Sequence, residues 1–324
     1  MAAAERVVDL LLRAGAAALG GTPSDADEPL AELAAADRSG SPLDGEVRAR
    51  VVWLTGVSLG ARGRYAEALD ALEPLTSSRE AAPPEVLVVR AAALATAASL
   101  LRQIGDHPAA DPLDAAAVGL LAGVPLAVGT DVRLDCAVGW TADAVGLGDL
   151  PLARQRLDSA RLQLGPALGW RPVVRLHWVE TEVALLAGEI KAASTGARAA
   201  VELARTAGAP RHLAKSSMFL GVVQALDGDL PQAASTLRTA ADLADRHGLL
   251  PLVWPVRAVL ATMPGLVGDP LEADGHRAAA RSAARSIGSG LPPERRRRWE
   301  QRDPMAAFLL SDDSHERGRS RQGS

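Results

Sequence analysis

The sequence predicts an all-α protein, a right-handed α-solenoid of about seven helix pairs, and three observations carry that expectation. The first is a period. Gly21, Gly63, Gly105, Gly148, Gly188, Gly228 and Gly268 each precede a polar or helix-starting stretch, at separations of 42, 42, 43, 40, 40 and 40 residues. A fixed spacing in this range means stacked supersecondary units. The second is a register of small side chains about each glycine. Five residues later stands Ala26, Ala68, Ala110, Ala153, Ala193, Ala233 or Ala273; seven earlier stands Ala14, Gly56, Ala98, Thr141, Thr181, Gly221 or Ala261. The third is composition: an Ala-rich chain with only 3% aromatic residues lacks the β-branched and aromatic side chains that a sandwich or barrel requires.

Each unit reads as a helix hairpin. Glycine ends the first helix because a left-handed cap strains any residue with a Cβ, and an Asp or Glu after it, as at Asp106, Asp149, Glu189 and Asp229, lies at the positive end of the second helix. Seven residues back is two helical turns and five forward is the second turn of the next helix, so the small residues face each other where the two helices cross. The chain opens with an amphipathic helix carrying Glu5, Arg6, Asp9 and Arg13, unlike the uncharged centre of a signal peptide. Breaks between units fall at Ser39–Pro42, Ala82–Pro84, Gly123–Pro125, Gly165–Pro166, Gly208–Pro210, Gly248–Pro251 and Gly288–Pro293. The uncharged run Ala115–Thr130 is too short and too interrupted by Gly and Pro to span a bilayer. After the repeat domain (residues 1–290), Pro293, Arg295–Arg298, Trp299 and the apolar Met305–Leu310 read as capping helices over 291–310. Residues 311–324 are expected to be disordered.

The series small residue, Gly, Ala, Ala at Gly221, Gly228, Ala233 and Ala240 resembles the tetratricopeptide repeat, and Tyr65 in Gly63–Ala68 is its closest single match. The resemblance spans about residues 5 to 287. The period exceeds the usual 34 residues, and Leu150, Leu230, Pro270 and His107 replace the aromatic residues of the family pattern. Long Ala- and Arg-rich repeats with Gly-Asp-Leu turns, as at Gly148–Leu150 and Gly228–Leu230, are similar to the sensor repeats of LuxR-type regulators of high-GC bacteria, and the 33 Arg against 2 Lys agree with such a genome. The resemblance implies a regulatory scaffold that works by protein–protein interaction.

Chemistry is sparse. A net charge of -4 lacks the global signature of a nucleic-acid binder, and a single cysteine, Cys136, excludes a disulfide framework and multi-Cys metal sites and suits the cytoplasm. Gly56-Val57-Ser58-Leu59-Gly60 matches a hydrolase nucleophile elbow, but Gly56 is already demanded by the repeat register and no strand series surrounds it. No two histidines stand at helical metal-site spacing, His247 reads as a helix C-terminal cation, and Cys136 reads as a small buried thiol. No catalytic residue, metal or cofactor is implied.

What remains is the concave wall, formed by residues six, ten and thirteen before the turn glycine. These offsets place Trp53, Trp178 and Met218, Arg50, Arg175 and Lys215, and Glu182 on one surface, with Arg102 reached from a neighbouring helix and Asp135 as an acidic exception. Arg and Trp dominate binding energy in recessed surfaces. A second row, Arg6, Arg48, Arg90 and Arg133, stands fifteen before each glycine and needs carboxylates such as Glu5, Glu46 and Asp131, or an anionic ligand. The resulting reading is a non-catalytic cytoplasmic scaffold or sensor that holds a segment of a protein or peptide partner, or a small acidic ligand, in its groove to control transcription or signalling. The alternatives are a serine hydrolase around Ser58 and nucleic-acid binding through the Arg rows. No membrane association is expected, and self-association into a homodimer is left open.

Overall fold

A computed structural model describes residues 2–38 and 43–310. The Ser39–Pro42 break and the 311–324 tail lie outside the described residues. Sixteen α-helices and no strand occur among the described residues, and the first fourteen form seven antiparallel pairs. The pairs are α1 (Ala2–Leu19) with α2 (Asp27–Arg38), α3 (Gly45–Ala61) with α4 (Tyr65–Thr76), α5 (Pro84–Arg102) with α6 (His107–Ala122), and α7 (Thr130–Gly146) with α8 (Leu150–Arg161). They continue as α9 (Trp170–Leu186) with α10 (Ile190–Thr206), α11 (Pro210–Leu226) with α12 (Leu230–Arg246), and α13 (Leu250–Thr262) with α14 (Pro270–Ser289), before α15 (Pro293–Arg302) and α16 (Pro304–Leu310). The all-α solenoid expected from the period is the fold.

The turns obey the local chemistry of the sequence in the middle of the array. Gly63, Gly105, Gly148, Gly188 and Gly228 have φ between 69° and 91°, the left-handed region that favours glycine. Asp149 and Asp229 then cap the next helix, accepting from the backbone N–H of Leu152 at 3.0 Å and of Gln232 at 3.2 Å. The end units depart from this. Gly21 and Gly268 do not have positive φ: a 3-10 turn over Pro23–Ala26 joins α1 to α2, and Gly265, at φ 82°, makes the turn after α13. α13 has 13 residues with Pro255 inside it, and Pro264 follows, so it ends earlier than the helices of the other units.

The small-residue register marks the crossings. Ala26, Ala68, Ala110, Ala153, Ala193 and Ala233 are fully buried, whereas Ala273 in the slipped last unit is not. A Cβ at Gly221 would stand 2.5 Å from Leu237 Cγ, and one at Gly56 the same distance from Leu72 Cγ. Ala233→Leu is therefore expected to overpack the α11–α12 crossing and cost about 1–3 kcal/mol, read as a lowered midpoint in urea; an unchanged midpoint would mean that this crossing can open freely.

Winding closes the array on itself. The end of α1 meets units five and six: a Cβ at Gly20 would lie 3.3 Å from the Trp170 ring, Arg211 Nη1 donates to the Ala18 carbonyl at 3.2 Å, and Thr22 Oγ1 is 2.8 Å from His247 Nδ1. The α3–α4 turn meets unit seven, where a Cβ at Gly63 would stand 2.7 Å from Ile287. The α5–α6 turn meets α15, because buried Asp106 pairs with Arg302 and, at 3.6 Å, with Arg298. Each of these turns touches the chain about five units later. One apolar cluster accordingly unites Tyr65, Leu72, Leu101 and Ile104 with Leu252, Trp254, Ile287, Trp299 and Leu309.

Candidate functional site

Because the turn winds back on itself, the inner faces of the first helices of the seven units line a half-open cavity of about 500 Å³. Its lining runs from Leu19 in the first unit to Trp254 in the last, and includes Trp53, Ser99, Arg102, Asp135, Arg175, Trp178, Glu182, Lys215 and Met218. A second hollow of about 540 Å³ shares Arg102, Gln103, His107 and Gly146 with it and reaches exposed Leu147 and Pro108 beside Arg302 and Asp303. The two hollows adjoin at these shared residues.

Seven of the residues placed on the concave wall by spacing thus meet in one cavity. Arg50 does not: it is half exposed and pairs with Glu46 at 2.6 Å on the outer side of α3. Trp53 donates through Nε1 to Thr96 Oγ1 at 2.9 Å. Trp178 is 9% exposed, donates to Ser216 Oγ at 2.8 Å and stacks on His212 at 5.3 Å between centroids. It is therefore both an inter-unit wedge and a cavity wall. Lys215 Nζ stands 4.5 Å from the Trp178 ring centroid and 5.6 Å from that of Phe219, a cation–π pair of contacts that holds the ammonium in the cavity.

The electrostatics divide into two parts. On one side Arg102 is buried between the carboxylates of Asp114 and Asp143, the second at 3.1 Å. Gly139 makes room for this triad, since a Cβ there would stand 2.9 Å from Asp114 Oδ2 and 3.0 Å from Arg102 Nη2. Burial pushes the Asp114 carboxyl up to about 7, with the Asp143 charge acting in the same direction and Arg102 against it. On the other side Asp135 takes both Arg171 and, at 2.7 Å, Arg175. Arg211 and Lys215 follow on α11, and among the described residues neither has a carboxylate at ion-pairing distance. Burial lowers Lys215 to about 8 against the pull of Glu182, and lowers Arg211 to about 10 with help from Arg171 and Arg175. Burial and the same cations hold His212 well below its ordinary value, and burial raises Glu182.

Arg171 and Arg211 escaped the spacing argument although both stand seventeen before their turn glycine. The counted offsets stopped at thirteen on this wall, one helical turn short of the first turn of the helix. Trp254 escaped for a different reason: the slipped turn of the last unit removes the reference from which its offset would be counted.

The other sequence candidates are occupied internally. Ser58 is 1% exposed and its Oγ donates to the Pro23 carbonyl at 2.8 Å, so the elbow-like pentapeptide is a buried stretch of α3 and not a nucleophile turn. The row fifteen before the first four glycines makes internal contacts, and three of its four members tie neighbouring units together. Arg6 binds Glu32, Arg48 binds Asp37, Arg90 donates to the carbonyls of Glu80 and Ser78, and Arg133 donates to those of Leu121, Val124 and Pro125. The expected carboxylates Glu5, Glu46 and Asp131 are not the partners: Arg6 pairs within its own unit, and for Arg48, Arg90 and Arg133 the partner is the C-terminal end of the previous unit. Cys136 is fully buried and burial raises its thiol far above the ordinary value. In the C-terminal Arg run, Arg296 pairs with Glu300 at 3.0 Å, and Arg298 with Glu294 and Asp106.

No protein-family model and no curated protein matches this chain. Among solved structures, it is similar to a Rap protein complexed with competence and sporulation factor, at 14% identity and a TM-score of 0.60, over 94% of this chain and 83% of that one. Weaker likenesses are to the apo form of RapI, at 10% identity and a TM-score of 0.47 over 96% and 83% of the two chains, and to aspartyl phosphate phosphatase F from Bacillus subtilis, at 11% and 0.45 over 98% and 81%. The first likeness concerns the fold, a tetratricopeptide-like helical repeat array.

Proposed function

We propose that this tetratricopeptide-like array is a non-catalytic regulatory receptor of the cytoplasm, which takes a small ligand or the end of a peptide partner into its axial cavity and passes the event on through the packing of its units. The observation that carries the reading is the cavity itself. All seven units contribute to it, it combines Trp and Phe walls with partly buried cations, and its volume of about 500 Å³ falls within the usual range for small-molecule sites. The structural neighbour solved with competence and sporulation factor supports the idea that a fold of this kind serves as a receptor.

The reading has a direct test. Ala142 lines the cavity and is partly accessible from it, so Ala142→Trp would fill much of the space without removing a charge. Protein purified from its native lysate is expected to carry or capture a ligand, detected by native mass spectrometry, that Ala142→Trp does not hold. Equal capture by both would place the site elsewhere on the molecule.

A further inference from the structure

We propose, resting on the reading of the axial cavity as a ligand site, that its ligand is a planar organic anion, whose carboxylate or phosphate sits against Arg211 and Lys215 while its body lies along the Trp and Phe walls. Charge placement leads to this. Four cations, Arg171 and Arg175 on α9 and Arg211 and Lys215 on α11, form two like-charged pairs four residues apart on adjoining first helices, all lining the same cavity. Such pairs destabilise a helix even at its surface, and burial makes an unpaired cation costlier. Asp135 neutralises the α9 pair. Asp114 and Asp143 neutralise Arg102. Glu182 is the one other carboxylate in the lining, and it is not at ion-pairing distance from either α11 cation among the described residues. Among the described residues the Arg211 guanidinium has one backbone carbonyl, that of Ala18, as its acceptor, against the five donors that an arginine carries.

A scaffold that needed only packing at these positions would gain stability from Leu or Met there. The cations therefore point to a counter-charge that arrives from outside. The apolar part of the wall selects its shape: Trp178 and Phe219 stand beside Lys215, and Trp53 and Trp254 line the same cavity, surfaces suited to a flat ring. Burial lowers the proton affinity of both Arg211 and Lys215, and the neighbouring cations add to the effect, with Glu182 opposing it at Lys215.

The test uses the full chain and three probes by titration calorimetry: phenyl phosphate, benzoate and the neutral benzyl alcohol. Both anions are expected to bind more tightly than benzyl alcohol, and the stronger of the two identifies the head group. The double variant Arg211→Met with Lys215→Met should lose anion affinity by roughly tenfold or more, the usual worth of charge-assisted hydrogen bonds, while keeping affinity for benzyl alcohol. Its empty form should also melt at a higher temperature than wild type, which a merely structural role for these cations would not produce. If Arg211→Met disturbs the contact with α1, Lys215→Met alone decides, because the ammonium touches no other unit's backbone among its described contacts. Equal binding of anions and alcohol, or unchanged anion binding in Lys215→Met, would overturn the anion while leaving a ligand cavity. Binding of none of the three would also overturn the planar anion, and the Ala142→Trp comparison would then decide by itself whether the cavity holds another ligand.

Discussion

Replacing Arg102 by Met is expected to lower stability by about 3–5 kcal/mol at pH 8, because it strands two buried carboxylates that now share one guanidinium. The loss should shrink sharply on acidification. In the folded chain the Asp114 carboxyl keeps its proton up to about 7, against an ordinary value of 3.8. The folded state therefore binds more protons than the unfolded state between roughly pH 4 and 7, and this group's contribution to stability is fully present below that window and lost as pH rises through it. Removing Arg102 removes the charge that opposes the shift, so the folded value moves further up and the dependence steepens. Urea titrations of wild type and Arg102→Met at pH 5.5 and 8 measure both effects. A loss of equal size at the two pH values would show that the arginine stem's packing, not its charge, is what the fold uses.

Trp299→Ala should be the other severe change, at about 3–5 kcal/mol for a large aromatic truncation in a packed core. Trp299 is completely buried, and its ring meets that of Trp254 edge-on at 5.7 Å between centroids. It lies on α15, which also delivers Arg298 and Arg302 to Asp106 in the α5–α6 turn. The side chain thus closes the end of the array against its third unit. Repeat arrays open locally along their length, so hydrogen exchange is expected to accelerate first in α15, α16 and the Gly105–Asp106 turn, with α9–α12 protected longest. Uniform acceleration along the chain would mean that the closed turn unfolds as a single cooperative block.

The hairpin units were legible because they rest on local chemistry. Gly148 followed by Asp149 ends one helix and caps the next wherever it occurs, and Ala153 or Gly221 can face a neighbouring backbone only where the period puts it. The same counting placed Trp53, Arg175, Trp178, Glu182, Lys215 and Met218 on one wall, since a fixed offset from the turn is a fixed height on the first helix. It failed for Arg50, which Glu46 draws outward one turn away, and for Trp254, whose unit has lost the common register.

The sequence by itself determined the number of hairpins, the location of their crossings and the identity of several inward-facing side chains, because each depends on residues within one unit or its neighbour. Only the tertiary structure decided that the wall curves round a half-open cavity and that its charge is unbalanced. Both depend on the small rotation between units, accumulated over about five of them until Gly20 meets Trp170 and Asp106 meets Arg302. No local residue encodes that sum. The partners of Arg6, Arg48, Arg90 and Arg133 were hidden for the same reason at shorter range: a periodic row shows that a charge recurs, while the angle between stacked units decides whether it reaches a carbonyl, a carboxylate or a ligand.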